Sequence, residues 1–142
     1  MRTTLLILFT ALIFTSCDET KKVIDAAGNV QLSGTYVVQS IDGKKIANNE
    51  ISLSFSALNK SFSGQTGCNS VLSDYTLDLY ALYFGELAVT ERYCDQPVMD
   101  LERDYLNALQ NTGSYGLSEG ILTLYSATDR SVLLTAKKQE RQ

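Results

Sequence analysis

Alternating apolar and polar residues run through much of this chain, and they predict strands. Tyr36, Val37, Val38 and Ile41 make 34–41 rich in β-formers, a first strand ended by a turn at Asp42-Gly43. In 51–56 the alternation is unbroken, with Ile51, Leu53 and Phe55 on one face and serines on the other. A tight turn at Asn59-Lys60 returns the chain through 61–66, where Phe62 is the one large packing residue. Tyr75, Leu77 and Leu79 alternate along the next strand. The dense apolar run 80–84 suits a buried strand, and Gly85-Glu86 then turns the chain into 87–90.

The period changes after Cys94. Val98, Leu101, Tyr105 and Ala108 or Leu109 recur at three- and four-residue spacing, the stripe of an amphipathic helix over about 96–112. Asp95 and Gln96 stand at its cap, Pro97 suits its first turn, and Gly113 fits a left-handed residue just past its end. Asp100, Glu102, Arg103, Asp104 and Asn107 should face water. Three further β signals follow: 114–117, 121–125 after Gly120, and 131–136 after Asp129-Arg130. The expected fold class is α+β, a mostly antiparallel β half-barrel or small barrel of seven or eight strands with one packed helix.

The N-terminus reads as an address. One arginine precedes an almost continuous apolar run over 5–14, too short for the roughly 20 residues a spanning helix needs. A basic start, a short apolar core and small residues before a cysteine are the layout of a secretory signal. Phe14-Thr15-Ser16-Cys17 resembles the lipobox of bacterial lipoproteins, in which the cysteine becomes the lipidated first residue. The alternative is an ordinary secretory signal with Cys17 as bystander or thiol partner. The expected organisation is a signal over 1–16, a tether or linker over 17–32 with a turn at Gly28-Asn29, a folded domain over 33–137, and a frayed tail over 138–142.

Charge and composition narrow the function. The net charge of −4 argues against nucleic acid, which needs clustered Lys and Arg. Histidine is absent, so the usual general base and the commonest metal ligand are missing. No catalytic constellation or cofactor motif is evident. Ser16 and Ser70 have no histidine to activate them. Asp74, Asp78 and Glu86 have no evident acid or base partner and read as solvated positions. Tyr75, Tyr80, Tyr83, Tyr93 and Tyr105 could line a groove, although tyrosine is a common strand residue.

There are three cysteines. With Cys17 lipidated, Cys68 and Cys94 remain as a pair in an oxidising compartment. A structural disulfide is favoured. A redox pair usually has Cys-x-x-Cys spacing, zinc wants four ligands, and unpaired thiols are the remaining possibility.

The same region carries a family resemblance. Gly34-Thr35-Tyr36-Val37-Val38 resembles the Gly-Thr-Trp opening of the META domain, found in the HslJ-like family of heat-inducible bacterial lipoproteins. Gly64-Gln65-Thr66-Gly67-Cys68-Asn69 matches its Gly-x-x-Gly-Cys-Asn signature, and Thr90-Glu91-Arg92-Tyr93-Cys94 looks like its Thr-Arg-Met-Ala-Cys segment. Tyr36 stands for the family's Trp, and Ser70-Val71 for its usual Arg and aromatic. The resemblance implies an antiparallel half-barrel with one packed helix and a correlated cysteine pair. Gly67, Asn69 and Thr90 are then motif residues with structural roles. It implies no enzymatic activity, and a loose link to envelope stress. The expected protein is anchored by lipid to the bacterial outer membrane, on its periplasmic or surface side, and contacts an unknown envelope protein. The alternative is a binder of a small apolar ligand at the barrel mouth.

Overall fold

The computed structural model describes residues 17–47 and 50–140. The signal expected over 1–16 and the last two residues of the tail lie outside them. Among the described residues ten strands form one sheet. In chain order they are β1 (Gly34–Ile41), β2 (Lys44–Lys45), β3 (Ser52–Ser56), β4 (Ser61–Gln65) and β5 (Ser70–Asp78). Then come β6 (Ala81–Phe84), β7 (Ala88–Val89), β8 (Thr112–Ser118), β9 (Ile121–Ser126) and β10 (Val132–Lys138). Among the described residues two helices accompany the strands, α1 (Cys17–Leu32) and α2 (Gln96–Gln110).

The strands run β10-β9-β8-β6-β5-β4-β3-β1, and β10 pairs back onto β1. That pairing closes an antiparallel barrel, the upper end of the expected range, and removes the exposed edges of an open sheet. β2 and β7 are two-residue additions outside the ring. The weakest seam is between β6 and β8, where only Ala81 and Ser114 are in register.

The alternation places the core as expected in most strands. Ile51, Leu53, Phe55, Phe62, Val71, Leu122, Leu124 and Leu134 point inward and are buried. Rings fill the centre. Phe55 packs edge-on against Tyr36 and Tyr75, and Phe62 against Phe84 at 4.8 Å between centroids.

Both ends are covered. α2 lies at the end where β3 and β5 begin and sends Tyr105 inward, its hydroxyl donating to Ser52 O at 2.9 Å. Gly64 makes room for it, because an added Cβ there would stand 2.2 Å from Tyr105 Oη. α1 docks at the end where β1 begins, through buried Leu32 and Asn29. Tyr36 Oη donates to Leu32 O at 2.9 Å and pins the helix to the barrel. The space expected for an apolar ligand at the mouth is thus occupied by the chain's own side chains.

Several expectations are corrected. The stretch over 17–32 is helical, with no turn at Gly28-Asn29. It has no proline, it is rich in good helix formers such as Lys22, Ala26 and Ala27, and its last turn gains a packing surface. Leu79 sits in a turn at φ 57°, and Tyr80 and Tyr83 are exposed. The 80–84 run is therefore a half-buried strand whose inward residues are Leu82, fully buried, and Phe84, partly so. Gly113 does not cap α2. It is a buried residue of β8, where an added Cβ would meet Ala127 Cα at 2.5 Å. Glu102 is buried in the barrel-facing stripe of α2. Lys138 belongs to β10, and Gln139 N–H still bonds Thr35 O, so the tail is ordered further than expected.

Burial makes the tyrosine hydroxyls reluctant to ionise. The Tyr36 pKa is pushed up to about 12, first by burial and then by Tyr115 and Tyr75. Tyr75 and Tyr105 are raised chiefly by burial as well. Unfolded tyrosines lose their protons near pH 10. Between about pH 10 and 12 the unfolded chain therefore binds fewer protons than the folded one, and stability falls as pH rises. The guanidinium midpoint should be flat from pH 8 to about 9.5 and decline steeply above it. Tyr36→Phe should flatten part of that decline.

Candidate functional site

The junction of β4, β5 and α2 gathers the motif residues. Gly67 adopts φ 91°, a left-handed conformation that lets the chain reverse between β4 and β5. Thr66 N–H donates to Asn69 O at 2.8 Å and closes the turn. Thr66 Oγ1 accepts from the N–H groups of Asn69 (2.8 Å) and Cys68 (3.3 Å). It also meets the carboxyl of Glu102 through Oε2.

The turn aims Asn69 at the loop that precedes α2. Its Oδ1 accepts from Arg92 N–H at 2.7 Å and from Thr90 Oγ1 at 2.9 Å. Its Nδ2 donates to Arg92 O at 3.1 Å and to Glu102 Oε1 at 3.0 Å. Both acceptor sites and both donors are thus used, the full capacity of an amide side chain. Thr90 Oγ1 in turn accepts from Ser70 N–H at 3.1 Å. Beside this network Cys68 and Cys94 form a disulfide, with Cα atoms 6.0 Å apart. The turn after β4 and the approach to α2 are therefore joined covalently and by hydrogen bonds.

Sequence reasoning placed Cys68, Cys94, Gly67, Asn69 and Thr90 and missed Thr66 and Glu102. A signal existed for Glu102. It lies four residues after Val98 and three before Tyr105, squarely on the apolar stripe, and a carboxyl there must find donors. Both of its oxygens do.

The other candidates are not assembled into a site. Asp74, Asp78 and Glu86 are exposed on or beside β5 and β6. Tyr75 and Tyr105 are core residues, while Tyr80, Tyr83 and Tyr93 are exposed. Ser16 lies outside the described residues. Cys17 opens α1, and nothing is described of its side chain. Among the described residues, no group of three His, Cys, Asp or Glu is placed to hold a metal ion. A surface cleft of about 540 Å³ borders the network, lined by Leu87, Val89, Arg92, Tyr93 and Met99 together with Asn69. Tyr93 stands 88% exposed beside it.

A closed antiparallel barrel, plugged by a helix that a disulfide and a buried asparagine hold in place, defines a small structural domain class. The chain belongs to the META domain family, which it matches over residues 29–139. Two solved structures resemble it in sequence and fold. An NMR structure of a protein from Burkholderia xenovorans is 27% identical with a TM-score of 0.64, covering 82% of this chain and 89% of that one. A second, described only as the NMR structure of the protein, is 26% identical with a TM-score of 0.61, covering 78% and 93%. The crystal structure of a DUF4847 family protein from Bacteroides vulgatus shares the fold at 13% identity, with a TM-score of 0.58 and coverage of 80% and 99%. No protein of curated function matches the sequence.

Removing the disulfide with a Cys68→Ser/Cys94→Ser double variant should cost about 3.5 kcal/mol by loop-closure entropy. Equilibrium denaturation checks this, and reductant should lower the wild-type midpoint similarly while leaving the variant unmoved. Asn69→Asp should cost more than Asn69→Ser. It replaces both donors with an acceptor facing Glu102 and the Arg92 carbonyl, a loss of roughly 3 kcal/mol or more. Thermal melts of the two variants at pH 7 would decide the order.

Proposed function

We propose that this chain is a non-enzymatic cell-envelope protein, anchored by lipid at Cys17 to the bacterial outer membrane, whose barrel serves as a protein-interaction module during envelope stress. The Cys68–Cys94 bond carries the reading, because a structural disulfide belongs to an oxidising compartment. The signal-like start and lipobox-like residues before Cys17 agree with that location. The polar groups of the motif support a structural rather than catalytic role. Asn69, Thr66, Thr90 and Glu102 bond one another and the backbone, and so hold the turn, the loop and the helix together. The partner surface we favour is the cleft at 87–93, where exposed Arg92 and Tyr93 are residue types that dominate binding energy at interfaces.

Two measurements test the reading. Intact mass of membrane-extracted protein should report a mature start at residue 17, added acyl chains, and a gain of two hydrogens on reduction. A start elsewhere, or no lipid, would reject the anchor. A photo-crosslinker placed at position 93 should capture one envelope protein from intact cells. An Arg92→Ala/Tyr93→Ala variant probed from a neighbouring position should lose that adduct. Crosslinks spread evenly over abundant envelope proteins would reject the interaction module.

A further inference from the structure

A second surface site lies at the β6–β8 seam, on residues that neither the motif nor the 87–93 cleft uses. There Tyr80, Ala81 and Tyr83 face Gly113, Ser114, Ser126, Ala127 and Arg130 across a cleft of about 290 Å³. That volume is near the lower bound of about 300–1,000 Å³ usual for ligand pockets, which suits a one-ring ligand.

Three observations give the cleft a chemistry. Tyr80 and Tyr83 are 78% and 51% exposed, so two aromatic side chains present surface at its rim. Leu79, beside Tyr80, holds φ 57°, a conformation unfavourable for a bulky side chain that a glycine or asparagine turn would avoid. The opposite rim is Arg130, itself at φ 59°. Its loop is held by a set of hydrogen bonds. Arg130 N–H bonds Ser126 O, Ala127 N–H bonds Asn111 O, and Thr128 N–H bonds Ser126 Oγ. Asp129, the nearest acid in sequence, is engaged by Ser131, which donates to its Oδ1 from both N–H (3.1 Å) and Oγ (2.8 Å). Among the described residues, no side-chain hydrogen bond or ion pair is formed by the Arg130 guanidinium. The floor is kept shallow in side chain and close in backbone, since Gly113 packs directly on Ala127.

We propose that this cleft binds an acidic saccharide, a sugar ring carrying a carboxylate. The apolar face of the ring lies on Tyr80 or Tyr83. The carboxylate takes the planar fork of Arg130, which suits two parallel N–H···O bonds. The ring hydroxyls meet Ser114. The hydrogen-bonded loop fixes the backbone from which Arg130 projects, which lowers part of the ordering cost of binding.

The test is an NMR titration of the folded domain with tri-galacturonic acid, an uncharged trisaccharide of the same linkage, and a glutamate-rich peptide. Tri-galacturonic acid should bind at roughly millimolar Kd or tighter and shift amides at 80–83, 113–114 and 126–130. The uncharged sugar should bind about tenfold more weakly, and so should Arg130→Asn, which removes the charge but tolerates the left-handed backbone. Tyr80→Ala/Tyr83→Ala should lose binding as well, with a melting temperature close to wild type for both variants. No binding to the wild type, equal binding of the uncharged sugar, equal binding of the peptide, or full binding by either variant would overturn the proposal.

Discussion

The Asn69 side chain is the contact on which the rest of the barrel end depends. It joins three pieces of chain that are far apart in sequence: the turn after β4, the loop over 90–92, and α2 through Glu102. An amide suits the position because it offers two donors and two acceptors in one plane, and each is matched here. The disulfide beside it constrains the same loop by a different physics. The hydrogen bonds stabilise the folded arrangement, and the covalent link limits the freedom of the unfolded chain. With the loop held, α2 is delivered at the angle that drops Tyr105 into the barrel against Gly64.

That insertion accounts for the filled interior. Tyr105 enters from one end and Tyr36 is covered by α1 at the other, with Phe55, Phe62 and Tyr75 between them. A barrel of this size has an interior just wide enough for side chains. Large rings occupy it here, so the open clefts lie on the outer wall and at the rims of the seams. The irregular β6–β8 seam is where such a rim forms, since strands that separate leave backbone and side chains facing a gap.

Much of the fold was legible from alternation and spacing alone. Ile51, Leu53 and Phe55 were assigned to the core because a period of two admits one buried face. The cysteine pair is legible from the cysteine count and the compartment that the signal-like start leads one to expect, and the family motif places Gly67, Asn69 and Thr90. What escaped was mostly decided by tertiary contact. Tyr80 and Tyr83 are apolar enough to read as core, yet the strand there has only one covered face. Gly113 looked like a helix cap because glycine serves both left-handed turns and close approaches, and one sequence does not distinguish them. Residues 17–32 looked like a linker because their helix has few apolar anchors. Its docking rests on Leu32 and the Tyr36 hydroxyl, a contact visible only once β1 and the helix are side by side.

The Tyr36 to Leu32 bond has a mechanical consequence. Because α1 continues without a break from Cys17 to the barrel, residues 17–32 are a strut rather than a string. At 1.5 Å per residue, its 16 residues span about 24 Å. A barrel held to a bilayer through residue 17 would stand off the surface by up to that distance.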